Sequence, residues 1–113
     1  MTLWLAVNTP EDAIALFKSF REAFGELISA FELLGSEGVE IAVEGFSGVR
    51  RPVASPSPWH VLIDVAWTFA DGLRPRVETV LEQVIGRGLC EDGTIAETEE
   101  QRANMWRLRE GQS

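Results

Sequence analysis

Arg109 and Ser113 stand four residues apart in the stretch Trp106-Arg107-Leu108-Arg109-Glu110-Gly111-Gln112-Ser113. Residues at that spacing share one face of a helix. A guanidinium with a hydroxyl one turn on is a competent clamp for a carboxylate, the arginine donating two parallel N–H bonds and the serine a third. The same spacing also describes a solvated arginine on a terminal helix. Spacing alone leaves both readings open.

Other chemistry-bearing residues are sparse. His60 is the only histidine, and it lies inside an apolar stretch. It titrates near neutral pH and can serve as a base, but it also fits a structural role or a face turned to a neighbouring domain. With no second histidine and no cysteine near it, a zinc or iron site lacks ligands. Glu32 and Asp64 are carboxylates in otherwise apolar segments. If their strands are neighbours they can share a face and shift each other's pKa values; otherwise both face solvent or a further part of the protein. Cys90 stands beside acidic residues, which raise a thiol pKa and make a poor nucleophile. The glycines are dispersed and form neither a phosphate-cradling loop nor a nucleophile elbow. By its own residues the chain is an incomplete catalyst.

The elements that must position these groups are legible in the pattern. Residues 2–7 are short, apolar and rich in strand formers. Thr9 can cap a helix with Pro10 at its first position and Glu11 and Asp12 in its first turn. Ala13, Leu16, Phe17, Phe20 and Phe24 form its apolar stripe, and Gly25 stops it. Residues 26–34 read as a second strand, with Ile28 and Ala30 on one face and Leu27 and Phe31 on the other. Ser36 is placed to cap a short helix carrying Val39, Ala42 and Val43 and closed by Gly45. A loop rich in Gly, Ser and Pro fills 45–58, too short for a domain linker.

The clearest strand is Trp59-His60-Val61-Leu62-Ile63-Asp64-Val65-Ala66-Trp67. Trp59, Val61, Ile63, Val65 and Trp67 share one face, and His60, Leu62, Asp64 and Ala66 the other. One apolar face beside a mixed one implies a sheet covered by helices on one side only. Asp71 is placed to cap a helix with Leu73, Val77, Val80, Leu81 and Val84 on its buried stripe. Pro75 is tolerated in its first turn, and Gly88 ends it. A turn at Glu91-Asp92-Gly93 leads into a short strand over 94–97. Thr98 with Gln101 forms a capping box for a last helix carrying Ala103, Trp106 and Leu108, still running where the chain stops. This order predicts an α+β fold of the ferredoxin-like, split βαβ kind: an antiparallel sheet with helices on one face, plus extra helices.

The chain has 113 residues, 45% hydrophobic and 25% charged, which bounds it to one ordinary globular unit. Net charge is −8, from 18 acidic and 10 basic residues, and such a surface repels phosphate backbones. Nucleic acid is not an expected partner. A single cysteine excludes an internal disulfide and fits a reducing compartment. No apolar run approaches the roughly 20 residues of a membrane span, and no signal peptide opens the chain. A soluble, cytoplasmic protein is expected.

Three stretches in order carry a resemblance. They are Leu27-Ile28-Ser29-Ala30-Phe31-Glu32-Leu33, then Ser57-Pro58-Trp59-His60-Val61-Leu62-Ile63-Asp64, then Gly88-Leu89-Cys90-Glu91-Asp92-Gly93-Thr94-Ile95-Ala96 continuing to Met105-Trp106-Arg107-Leu108-Arg109-Glu110. Together they resemble the C-terminal (cap) domain of FAD-linked oxidases, the group containing D-lactate, glycolate and D-2-hydroxyglutarate dehydrogenases. His60 stands where an aromatic residue is frequent in that group, and Gly35 where an aspartate is.

The resemblance implies a cap that closes over a flavin held by a separate FAD-binding domain, forming the pocket of a 2-hydroxyacid dehydrogenase. It implies that Arg109 contacts the substrate carboxylate and that Ser113 assists. It also implies a further segment, His-x-x-x-Gly-Asp-Gly-Asn-x-His, supplying metal ligands and catalytic histidines. That segment and the FAD-binding domain are not in residues 1–113, so these residues are expected to form part of a cap domain that by itself binds no flavin and turns over no substrate. The competing expectation is a free-standing ferredoxin-like module that binds a small ligand or dimerises through its sheet. An apolar surface on Trp59 and Trp67 would favour such self-association.

Overall fold

The strand β1 (Thr2–Val7) is buried at all six positions, because it runs through the middle of a four-stranded antiparallel sheet. The structure, a computed structural model, describes residues 1–66 and 72–110. The other strands are β2 (Ile28–Gly35), β3 (Trp59–Val65) and β4 (Asp92–Ile95), and the sheet order is β2-β3-β1-β4. The helices are α1 (Pro10–Phe24), α2 (Ser36–Gly45), α3 (Leu73–Gly86) and α4 (Glu99–Glu110). The units β1-α1-β2 and β3-α3-β4 interleave, each strand pair enclosing one strand of the other. The expected α+β class is observed, and the order is consistent with a split βαβ fold.

Local chemistry explains the best-formed helix ends. Thr9 Oγ1 accepts from the Asp12 amide at 3.0 Å, and Pro10 opens α1 as expected. Thr98 Oγ1 accepts from the Gln101 amide at 3.1 Å, while the Gln101 side chain accepts from the Glu97 amide at 2.6 Å. The capping box is therefore present, its return bond displaced by one residue. Helix α3 ends in a left-handed turn at Gly88 (φ 75°): the Gly88 amide donates to Ile85 O at 3.0 Å and the Leu89 amide to Val84 O at 2.9 Å. That pair of bonds satisfies carbonyls the helix would otherwise leave open.

Several expectations need correction. Ser36 is the first residue of α2 rather than its cap; Gly35 caps the helix with no side-chain bond. The Asp71 cap lies outside the described residues, and the residue preceding α3 is Gly72. Strand β4 starts at Asp92, so Gly93 is in the strand and not in a turn. A Cβ on Gly93 would come 2.5 Å from Leu5 Cδ2 and 3.2 Å from Leu81 Cδ1. The glycine is there because side chains from β1 and α3 approach the β4 backbone.

The pairing of β2 with β3 slips at one residue. Ile28 pairs with Val65 and Ala30 with Asp64, leaving Ser29 as a bulge. The extra residue puts Ile28 on the same face as Phe31, against the alternation expected from period two. Both then pack on the core, and Phe31 meets Phe17 of α1 with ring centroids 4.7 Å apart.

The sheet is covered on both faces, which overturns the expectation of one covered side. Helices α1 and α3 bury the first face, with Leu16, Phe20, Val77 and Val84 against Leu3, Leu5, Val61 and Ile63. Helices α2 and α4 and the loop 46–58 bury the second, with Val39, Ala42, Val49, Val53, Met105 and Leu108 against Trp4, Leu34 and Leu62. Two polar side chains made that second face look wet in the sequence, and the fold neutralises both. Trp59 is half-buried against the first core and so presents no open patch, while Trp67 lies outside the described residues. On α4 the buried residues are Met105 and Leu108, with Ala103 exposed, so the helix is rotated from the expected stripe.

His60 shows how the second face stays dry. Its Nδ1 accepts from Trp4 Nε1 at 2.9 Å, and the histidine is only 7% exposed. A nitrogen that accepts carries no proton, so this bond holds the neutral form. Burial lowers the His60 pKa, with Glu40 partly opposing. The unfolded chain then binds a proton near pH ~6.5 that the folded chain refuses. This stabilisation is complete above about pH 6.5 and declines as pH falls towards the depressed folded value. Denaturant unfolding between roughly pH 7.5 and 5.5 should show stability falling with acidification in the native chain and a flatter profile in His60→Gln. Equal slopes would remove His60 as the cause.

Candidate functional site

The second face of the sheet carries a polar margin where β2 and β3 meet the end of α4. Cross-strand pairing puts Asp64 opposite both Thr2 and Ala30, and Glu32 opposite Leu62, so Asp64 and Glu32 do share this face. They do not act as a pair, because each carboxylate is engaged elsewhere.

Asp64 joins three strands. Thr2 Oγ1 on β1 donates to Oδ1 at 2.7 Å, and Ser29 Oγ in the β2 bulge donates to Oδ2 at 2.7 Å. Burial pushes the Asp64 pKa up, but the Ser29 and Thr2 hydroxyls, with the N-terminal ammonium and Arg102, together hold the carboxyl below its ordinary value. An ionised carboxylate with both oxygens occupied is a structural tie and a poor proton acceptor. Asp64→Ala leaves the buried Thr2 hydroxyl, in a residue 1% exposed, without its acceptor. The expected cost is about 1–3 kcal/mol in denaturant unfolding. A variant as stable as the native chain would show that the tie does not hold the bulge.

Glu32 faces α4. Arg109 Nε donates to Glu32 Oε1 at 2.8 Å and to Oε2 at 2.9 Å. Helix α4 begins beyond the end of β4, buries Met105 and Leu108 on the second core, and so delivers Arg109 over the edge strand β2. The guanidinium stays half-exposed. A cleft of about 570 Å³ lies between loop 47–52, β4 and α4; its lining includes Arg50, Arg107, Thr94 and Asn104, but not Arg109. Ser113 lies outside the described residues. Sequence reasoning singled out Arg109 and left open whether Glu32 pairs with Asp64, but it did not join Glu32 to Arg109; the available signal was a lone carboxylate on a strand face that a helix must cover.

The remaining candidates are not brought to this margin. His60 sits with Trp4 inside the second core. Cys90 is buried, and burial, then Asp92 and Glu91, push its thiol up to about 11. That fits its expected inertness, with burial the larger cause. Among the described residues no group of three or more His, Cys, Asp or Glu is placed to hold a metal ion. The positive-φ glycines are Gly25 and Gly88 at helix C-termini, Gly48 in the loop 46–58 and Gly72 at the start of α3, so among the described residues they are dispersed and form no glycine-rich phosphate cradle.

An antiparallel α+β sheet with an arginine presented from its last helix has a family to match. Residues 1–113 match the FAD linked oxidases, C-terminal domain, and the chain belongs to that family. Among curated proteins it is 34% identical over 110 residues to the mitochondrial D-2-hydroxyglutarate dehydrogenase of Arabidopsis thaliana, covering 95% of this chain and 20% of that protein. It is 33% identical over 99 residues to the mitochondrial D-2-hydroxyglutarate dehydrogenase of Bos taurus, covering 88% of this chain and 18% of that protein. A putative mitochondrial D-lactate dehydrogenase of Schizosaccharomyces pombe is 26% identical over 108 residues, covering 96% of this chain and 20% of that protein. The chain thus spans about a fifth of the length of these relatives. No helix of the described residues is long and apolar enough to cross a membrane.

Proposed function

We propose that residues 1–113 form part of the substrate-side cap domain of a longer, FAD-dependent dehydrogenase acting on 2-hydroxy acids, D-configured as the names of the relatives suggest. The observation that carries this reading is Arg109: in a chain of this family, α4 presents its guanidinium half-exposed at the domain surface, held among the described residues by Glu32 through Nε. Arg109 would bind the substrate carboxylate when the cap meets the FAD-binding domain, and Ser113, four residues further along the sequence, would supply a hydroxyl. Hydride acceptance is the flavin's chemistry; the cap contributes orientation and exclusion of water.

The surrounding expectations follow from the same reading. The partners are a small 2-hydroxy acid and the protein's own FAD-binding domain, with nucleic acid disfavoured by a net charge of −8. The free, buried Cys90 suits a reducing compartment, so the cytoplasm is our proposal, with the mitochondrion named by the relatives as the alternative. The test is steady-state turnover of the full-length protein with an artificial electron-accepting dye, across D- and L-2-hydroxy acids. Turnover with D-2-hydroxy acids and little with their L forms is expected. A flavin-loaded protein inert towards every 2-hydroxy acid would overturn the proposal.

A further inference from the structure

The geometry points to Glu32 as the positioning residue for Arg109, fixing which nitrogens of the guanidinium meet the substrate carboxylate. This inference rests on the proposed role of Arg109.

A guanidinium and a carboxylate ordinarily meet fork to fork, which occupies terminal nitrogens of the arginine. Here both Glu32 oxygens instead take the Nε–H, at 2.8 and 2.9 Å. Among the described residues no hydrogen bond engages either terminal nitrogen of Arg109. The two Nη groups together keep four N–H donors, enough for a second carboxylate to bind bidentately. Glu32 thus holds the arginine by its inner nitrogen, and no other described residue engages its outer edge.

The support under Glu32 is rigid. Its strand is pinned to β3, with Phe31 paired to Ile63 and Leu33 to Val61 on either side. Two register steps away, Asp64 fixes the Ser29 bulge through its own hydrogen bonds. The bulge sets the phase of β2 beyond it and so decides that Glu32 faces α4. Without Glu32, an exposed arginine on the last turn of a helix samples many rotamers. Holding it in one lowers the entropy lost when substrate binds. Glu32 also places a compensating charge beside Arg109, so that the empty site does not carry an isolated cation.

The test uses the full-length, flavin-loaded enzyme with Glu32→Gln, Glu32→Leu, Arg109→Ala and the Glu32→Leu/Arg109→Ala double variant. Glutamine keeps an acceptor for Nε, whereas leucine keeps the volume without one. Two quantities are read besides kcat: KM for the 2-hydroxy acid, and the affinity for the 2-oxo acid product from its perturbation of the flavin spectrum. Glu32→Leu is expected to raise KM and weaken product binding about tenfold. Glu32→Gln should stay within about threefold of the native enzyme, and the double variant should be no worse than Arg109→Ala. Melting temperatures should hardly move, because an exposed ion pair contributes little stability. Native kinetics in Arg109→Ala would overturn the clamp reading itself, and the role of Glu32 with it. An impaired Arg109→Ala with a native-like Glu32→Leu, or losses that multiply in the double variant, would overturn the positioning role alone. Equal losses in the Gln and Leu variants would also count against it, since the acceptor would then be irrelevant.

Discussion

Replacing Arg109 by alanine in the full-length enzyme is expected to lower kcat/KM for a 2-hydroxy acid about 10²–10³-fold, chiefly through KM, with flavin content unchanged. The magnitude is that of removing the proposed charge-assisted, two-point contact to a substrate carboxylate. Flavin content is expected to be unchanged because Arg109 is tied to Glu32 at the surface of this domain, and the proposal gives the flavin to a separate domain. The fold is unaffected because the Arg109 side chain is 46% exposed and its ion pair sits at the surface. Steady-state kinetics over a range of substrate concentration, with the flavin-to-protein ratio measured in parallel, checks both halves. A lowered flavin content with native KM would assign Arg109 to assembly of the domains instead.

The largest structural effect is expected at Trp4. Its side chain is fully buried in the middle of the sheet, between β3 and β4, and is part of the second core with Leu62, Met105 and Leu108. Trp4→Ala removes an indole, opens a cavity beneath α2 and α4, and strips His60 Nδ1 of its donor. The first two effects together cost about 3–5 kcal/mol, a large share of the roughly 5–15 kcal/mol that holds a domain folded. Trp4→Phe retains most of the volume and loses the N–H, so it should cost about 1–3 kcal/mol. Denaturant unfolding of residues 1–113 separates the two variants. A Trp4→Ala chain within about 1 kcal/mol of the native one would mean that the second face is not a core.

What the sequence disclosed was local, and what it concealed was tertiary. Thr9, Pro10 and the stripe of α1 could be read because a cap and a helical period are properties of neighbouring residues. The Ser29 bulge could not, since period two carries no sign of an extra residue until the partner strand is known. Gly93 carries the same composition signal in a turn as beneath Leu5 and Leu81, and only the packing tells them apart. The doubly covered sheet was hidden by His60 and Asp64. Each is a polar residue on an otherwise apolar strand, and each is satisfied by a partner more than fifty positions away, Trp4 and Thr2. The site divides similarly. Arg109 came into view through resemblance, its spacing to Ser113 being too common to decide. Its partner Glu32, 77 residues earlier, emerges only when β2 and α4 lie side by side.

The direct measurement is the affinity of the full-length, flavin-loaded protein for a 2-oxo acid, read from the change in the flavin spectrum, in the native enzyme and in Arg109→Ala. If Arg109 clamps the carboxylate beside the flavin, the native protein shows a saturable spectral change and the variant binds about 10²-fold more weakly with its flavin intact. A native protein that binds no flavin, or a variant that binds the 2-oxo acid as tightly as the native one, would contradict it.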